Sequence, residues 1–321
     1  MSRDNSDWSK TIFRAHGLPS SVKTFEDVAS LLVMGLGLGD CSKDYIRVYS
    51  LATAQDFTQN FRQLPRSKTS TVMFVTIPSL IHDDPGKQEW RIPGNAPSRN
   101  VDDIILDVHF IGMTPLNDVE AGREHLFDCI AISGLASHPF GSWQPKGGPK
   151  TSMWIRDSLP KDLSGARAII YGYNTKLDDS RSFQSVSDIA LAFISQLETY
   201  SWTLSSARPV YFLAHSFGGP VLRDAMVQLD QRADEGSTCL LNLMRGAVIF
   251  GVPNVGMEQS YFRAIVKNNA NAGLVDDVGR DSNYLDRLNE SFSGASFRNR
   301  LRFFWAYETS NPPTVQVSSA Q

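Results

Sequence analysis

The chain has 321 residues, of which 41% are hydrophobic and 20% charged, with a formal net charge of −3. That length suits one large domain with a smaller companion, and that composition excludes a disordered tail or a fibre. The mild acidity, with Lys and Arg scattered along the chain, leaves no electrostatic footprint for nucleic acid or an anionic membrane surface, so neither is expected as a partner.

No run of about eighteen apolar residues occurs, so no membrane span is expected. The start, Met1 to Asp7, is polar and leads into no signal-peptide core. The three cysteines, Cys41, Cys129 and Cys239, match no zinc spacing, and an odd number suits no closed disulfide framework. Cys129 lies in an apolar run and reads as a buried free thiol. A reducing, cytoplasmic location follows as an expectation. No metal or cofactor pattern is present, and none is expected.

Thr11 to Arg14 is a short extended candidate that ends at His16-Gly17-Leu18-Pro19. Phe25, Val28, Leu31 and Leu32 recur at helical spacing until Gly35, Gly37 and Gly39 stop the helix. The runs at Tyr45–Tyr49 and Thr71–Ile77 are β-rich, the second closed by Pro78. This order predicts a small α+β plait over residues 1–100. Its tail, 82–100, is a polar connector holding Pro85, Gly86, Pro93, Gly94 and Pro97, and the run from Ile104 to Phe110 is assigned to the larger, second domain.

From about residue 126 the pattern changes. Apolar strand-like runs appear at Phe127–Ile132, Ala168–Tyr171, Val210–Ala214, Ala247–Phe250 and Leu301–Ala306, with helical segments clearest at 183–199 and 219–230. Near-continuous apolar strands separated by helices require a parallel sheet covered on both faces. A doubly wound, mostly parallel α/β domain over residues 101–321 is expected.

One turn in that domain carries chemistry. Ala214-His215-Ser216-Phe217-Gly218 follows a strand directly and opens a helix, the context of the G-x-S-x-G nucleophile turn with Ala in the first position. The turn is tight enough that only small residues fit two positions either side of the serine. It would set Ser216 at a helix N-terminus, with the Phe217 amide facing an oxyanion. A second amide is expected from Leu135, in the loop Ser133-Gly134-Leu135-Ala136.

A serine nucleophile needs a histidine to take its proton and an acid to orient that histidine, in the chain order Ser, acid, His. Glu308, just past the strand ending at Ala306, is the candidate acid; Asp276, Asp277 and Asp281 are alternatives. All six histidines precede Ser216: His16, His82, His109, His125, His138 and His215. His215 would point away from the serine, and His138 reads more simply as a loop histidine satisfied by its neighbours than as a relocated base. Phe140, Trp143 and Trp154 flank the loop after the first core strand, as an acyl pocket or, more simply, as packing.

The run Ile132-Ser133-Gly134-Leu135-Ala136-Ser137-His138-Pro139-Phe140-Gly141-Ser142-Trp143 resembles the "HGL…HPFGSW" stretch of the lipase-like serine hydrolase domain of fungal NACHT and NB-ARC proteins. That domain is related to the GPI inositol-deacylase type. The resemblance continues through Met153–Pro160, Ile170–Tyr173, Phe212–Gly219, Phe250–Met257 and Tyr307–Thr309, covering about residues 104–313. It implies an α/β-hydrolase fold, Ser216 as nucleophile, Glu308 as the acid of the family's "YET", and intracellular protein partners. Three departures stand out: Ser133 replaces a usual His, Asn174 replaces a usual Asp, and the sequence stops at Gln321, about where the family's last strand and its histidine are expected. The chain is thus read as a shortened form. Two functions follow as expectations: an esterase or lipase-type hydrolase of ester or lipid-like substrates with weak turnover, or a catalytically silent interaction module of the same fold.

Overall fold

The computed structural model describes residues 11–38, 45–54, 67–84, 86–93, 103–145, 152–174, 176–177, 180–200, 202, 207–254, 256–257, 263, 265–266, 269–307 and 309. Gly39, Cys41, Pro85, Gly94, Pro97, Glu308 and residues 315–321, each part of the sequence reading, lie outside the described residues.

Phe13–Leu18 (β1) opens the first sheet. Phe25–Gly35 follows as helix α1 because Thr24 and Asp27 cap it reciprocally: the Asp27 amide donates to the Thr24 hydroxyl, and the Thr24 amide donates to the Asp27 carboxylate. Gly37, just past its end, takes φ +64°, where a residue without Cβ is at ease. Ile46–Thr53 (β2) and Lys68–Phe74 (β3) come next, then the one-turn helix Ser79–His82 (α2), Glu89–Ile92 (β4) and Ile104–Asp107 (β5). The five strands form an antiparallel sheet in the order β2-β3-β1-β5-β4. One face packs Phe13, Val72, Phe74 and Leu106 against Val28 and Leu32 of α1.

Two of these strands depart from the sequence reading. β4 lies inside the stretch that reads as a connector. Only Trp90 and Ile92 turn inward, and four residues hold too short an alternation to register. β5 pairs between β1 and β4, with Ile104 and Leu106 buried in the first core, so a boundary at 100 cuts this sheet. An apolar run of that length fits a buried strand of either sheet, which is why the sequence misassigns it. The chain passes between the sheets at 108–111.

The second sheet comprises Gly112–Pro115 (β6), Phe127–Ile132 (β7), Ala166–Gly172 (β8), Val210–His215 (β9), Met244–Phe250 (β10) and Arg302–Ala306 (β11). Its order is β11-β10-β9-β7-β8-β6, parallel throughout except for β6 against β8. Between the strands run one-turn helices Trp154–Asp157 (α3) and Leu159–Asp162 (α4), then Val186–Thr199 (α5), Gly218–Arg232 (α6), Glu235–Leu243 (α7), Ala272–Asp277 (α8) and Asn283–Gly294 (α9).

Every residue of β8 is buried, as a strand covered on both faces requires. On one face Ile130, Ile132, Phe212 and Ala214 pack against α5, α6 and α9. On the other, Cys129, Ala131, Ile170 and Leu213 lie under Phe140, Trp143, Met153 and Ile155, and Tyr49 and Met73 of the first sheet join the same cluster. The expected α/β fold is present, with a loop, one-turn helices and the first sheet closing its far face. Burial pushes the Cys129 thiol up to about 12, so it stays protonated and inert.

A buried polar link ties the two sheets. Asp107 is fully buried and accepts from Arg14 Nε at 2.7 Å and from the Phe110 amide at 2.8 Å. Arg14 Nη1 reaches across to Thr114 Oγ1 of β6 at 2.9 Å and to the Ile111 carbonyl at 3.0 Å.

A second buried carboxylate anchors the amino-terminal end of β7. Asp128 accepts from Arg167 at 2.7 and 3.0 Å, from Trp202 Nε1 at 2.7 Å and from His125 Nε2 at 2.9 Å. Burial alone would raise its pKa, but the His125 hydrogen bond and the Arg167 charge outweigh burial and hold it below the usual aspartate range. A depressed pKa stabilises the fold above about pH 4, and that contribution vanishes as pH falls through the folded-state value. Asp128→Asn is expected to unfold at lower urea concentration at pH 7 and to lose the steepest part of the acid limb. Urea midpoints followed from pH 7 to pH 3 check this, and an acid limb as steep as the wild type's would assign it to other groups.

Candidate active site

Strand β9 runs directly into the site. Ala214 is fully buried, and Ser216 takes φ +52° before α6 begins at Gly218. A residue with a Cβ adopts that backbone at a cost of about 1–3 kcal/mol and stays there only when its surroundings hold it. Three contacts do so. The Ser216 amide donates to the Phe250 carbonyl at 2.8 Å, the Gly219 amide donates to the Ser216 carbonyl at 3.0 Å, and the Gly251 amide donates to the Ala306 carbonyl at 2.9 Å. The carboxyl ends of β9, β10 and β11 are thereby laced into one rim.

Close approach explains the small residues of the turn. A Cβ on Gly218 would meet the Ile132 and Ser133 carbonyl oxygens at 2.7 and 2.8 Å, and one on Gly219 would meet Val252 Cγ2 at 2.4 Å. Gly134 matters equally: a Cβ there would lie 3.0 Å from Ser216 Cβ. The loop after β7 is thus pressed against the serine, which is itself half-buried.

Leu135 is the next residue of that loop. Its side chain packs on the main core and on a small cluster of Leu177, Val266 and Val275. Ala136 takes φ +51° to turn the chain, and Ser137 Oγ donates to the Gly134 carbonyl at 2.6 Å. Tyr173 donates to the Ser133 carbonyl at 2.6 Å, and burial, helped by neighbouring Tyr171, pushes its hydroxyl far above the usual range, so it remains a donor. Phe217 buries its ring against Tyr173, 6.2 Å between centroids. Among the described residues, neither the Leu135 nor the Phe217 amide has an acceptor. The N-terminal end of α6 adds its positive dipole at the same place.

The histidines are spent elsewhere. His16 and His109 flank Asp107 at 3.5 and 3.2 Å, His82 faces Asp83 at 3.5 Å, and His125 holds Asp128. His138 donates from Nε2 to the Val108 carbonyl at 2.8 Å and accepts the Phe140 amide on Nδ1 at 3.2 Å. His215 turns its ring edge towards Trp143, 6.4 Å between centroids, on the sheet face away from α6. Of the acids, Glu308 lies outside the described residues. Asp276 pairs with Arg263 at 2.9 Å, Asp277 accepts the Val186 amide at the start of α5, and Asp281 is exposed. Phe140 and Trp143 are core side chains, and Trp154 lies edge-on to Trp143.

Sequence reasoning did not find the roles of Gly134, Tyr173 and Phe250. Tyr171-Gly172-Tyr173 was a visible signal, because a tyrosine ending a buried strand needs a partner for its hydroxyl. No backbone contact of Phe250 is readable from a side-chain pattern. Among the described residues, no group of three or more His, Cys, Asp or Glu side chains is placed to hold a metal ion, and no helix is long and apolar enough to cross a membrane.

The strand order, the antiparallel first strand and a serine on the turn after the third parallel strand together give this sheet the α/β-hydrolase fold. No family model matches the chain. It is similar to the protein SERAC1 of Bos taurus, 23% identical over 181 residues, which are 51% of this chain and 27% of that protein. The chain therefore spans little more than a quarter of this curated relative. Solved structures with similarity include the mature lipase BlEst2 of Bacillus licheniformis, with TM-score 0.43 and 12% identity over 60% of this chain and 70% of that one. Phospholipase PlaB of Legionella pneumophila in complex with thio-NAD has TM-score 0.43 and 18% identity over 56% and 37%.

Two substitutions test the backbone geometry of the elbow. Ser216→Gly and Ser216→Ala both remove the hydroxyl, but only alanine keeps a Cβ at positive φ, so the glycine variant should be the more stable by about 1 kcal/mol. Gly218→Ala should destabilise by about 1–3 kcal/mol, because its methyl meets two fixed carbonyls. Urea unfolding measures both, and equal stability of the two Ser216 variants would rule out a left-handed serine.

Proposed function

We propose that the chain is a serine-hydrolase-like protein of the esterase or lipase type. Ser216 Oγ attacks an ester or lipid-like acyl carbonyl, the Leu135 and Phe217 amides receive the oxyanion, and Glu308 orients a base. The observation that carries this reading is the left-handed Ser216, held at the sheet rim with the Leu135 loop pressed against it. Attack forms the Oγ–carbon bond and leaves negative charge on the carbonyl oxygen. Two amides without other acceptors, beside a helix N-terminus, suit that charge.

With five imidazoles committed elsewhere and the sixth packing towards Trp143, the base that Glu308 orients is a water molecule, which takes the hydroxyl proton as the Oγ–carbon bond forms. Turnover is therefore expected to be weak, resting on the oxyanion site and substrate binding. Such a remnant is worth about 10³–10⁴-fold over water. The same observation favours the alternative, a silent interaction module with a protein partner. The 132–143 run supports kinship with the lipase-like domains of fungal NACHT and NB-ARC proteins and the GPI inositol-deacylase type. A cytoplasmic setting completes the proposal.

A fluorophosphonate probe tests it. Slow labelling of the folded protein, abolished in Ser216→Ala, is the expected result. Mass spectrometry of intact protein without any adduct after prolonged exposure would favour the silent module.

A further inference from the structure

We infer that His138 is a positioning residue, tying the loop that carries Leu135 to the end of the first sheet and so setting that loop against Ser216. Only the catalytic consequence of this tie rests on the hydrolase reading above.

The imidazole contacts allow one protonation state. Nε2 lies 2.8 Å from the Val108 carbonyl, which can only accept, so Nε2 carries the proton. Nδ1 lies 3.2 Å from the Phe140 amide and 3.4 Å from the Gly141 amide, which can only donate, so Nδ1 is bare. The neutral Nε2–H tautomer satisfies both sides at once. A ring with both nitrogens engaged is not a base for Ser216. It is a two-ended clip.

One end of the clip belongs to the first sheet. The Val108 amide donates to the Gln88 carbonyl at 3.1 Å, beside β4, which continues the pairing of β5. Phe110 takes φ +53°, donates its amide to buried Asp107, lies under the Arg14 guanidinium at 5.6 Å and meets the His138 ring edge-on at 5.1 Å. The other end belongs to the Leu135 loop. The His138 carbonyl accepts from Ser142 through its amide at 2.9 Å and its hydroxyl at 3.0 Å. Four residues earlier, Gly134 sits against Ser216. The loop is fixed at Gly134 by the serine and at His138 by the first sheet, with Leu135 between them.

Two substitutions separate the functions of the ring. In His138→Asn the side-chain oxygen stands where Nδ1 was, so the Phe140 amide keeps its acceptor while the reach to Val108 is lost. In His138→Gln the terminal amide nitrogen stands where Nε2 was, so the reach to Val108 is kept and the acceptor is lost. Hydrogen exchange of the full-length chain is the first readout. The Asn variant should exchange the hydrogen-bonded amides of Val108 and Ser142, one at each end of the clip, at least about tenfold faster than wild type, with β7 and β9 unchanged, and the Gln variant should stay near wild type. Fluorophosphonate labelling of Ser216 is the second. It should slow by about 10- to 100-fold in the Asn variant only, as expected when a reacting site is displaced by about an ångström. With a chromogenic ester, kcat should fall while KM holds.

Wild-type exchange in the Asn variant, or faster exchange only in the Gln variant, would overturn the tie and leave His138 as a turn cap. If either variant fails to fold, the other still decides by the same comparison with wild type. Absence of labelling in the wild-type protein would count against the hydrolase reading, while the exchange data alone decide the tie.

Discussion

A backbone inversion at a residue that carries a Cβ is the constraint on which this site depends. Ser216 adopts it because its amide is fixed to β10 and its carbonyl is taken up by the first turn of α6. Close approach around the turn depends on neighbours without a side chain: Gly134 lies against Ser216, Gly218 against the Ile132 and Ser133 carbonyls, and Gly219 against Val252. The end of strand β7, the start of helix α6 and the loop after β10 therefore meet at the Ser216 turn. Parallel strands then do the rest, since all of their carboxyl ends open on the same edge.

The polar groups of the molecule divide by task. Asp107 and Asp128, both buried, gather cationic and hydrogen-bonding partners and hold architecture: one joins the two sheets, the other closes the start of β7. Half of the histidines, His16, His109 and His125, serve these carboxylates. At the Ser216 turn the nearby polar groups are the Leu135 and Phe217 amides and the first turn of α6, while five of the six imidazoles are bonded elsewhere.

Much of this was legible in the residues. The five parallel strands announce themselves because burial on both faces demands unbroken apolar runs, as in Ala166–Gly172. The elbow is legible because a strand, a serine, a glycine pair and a helix occur in immediate succession. β4 and β6 are not, at four residues each with polar or glycine positions among them. Nor is the pairing of β5, since Ile104–Asp107 carries no mark of which sheet it will join. The closure of one sheet face by Tyr49 and Met73 is a tertiary event between segments far apart in the sequence. His138 illustrates the general limit: composition identifies a titratable ring, and only its two neighbours reveal that it is fully occupied.

The outermost strand has a different consequence. Among the described residues β11 is paired on one side only, by β10, and Phe304, Trp305 and Tyr307 are 62%, 41% and 83% exposed. Its place in the sheet rests on β10 alone among the described residues, as that of β6 at the opposite edge rests on β8. A rim is only as steady as its least supported segment. The backbone of an edge strand is the least protected of a sheet, so the β11 amides are expected to exchange faster than those of β7, which is paired on both sides.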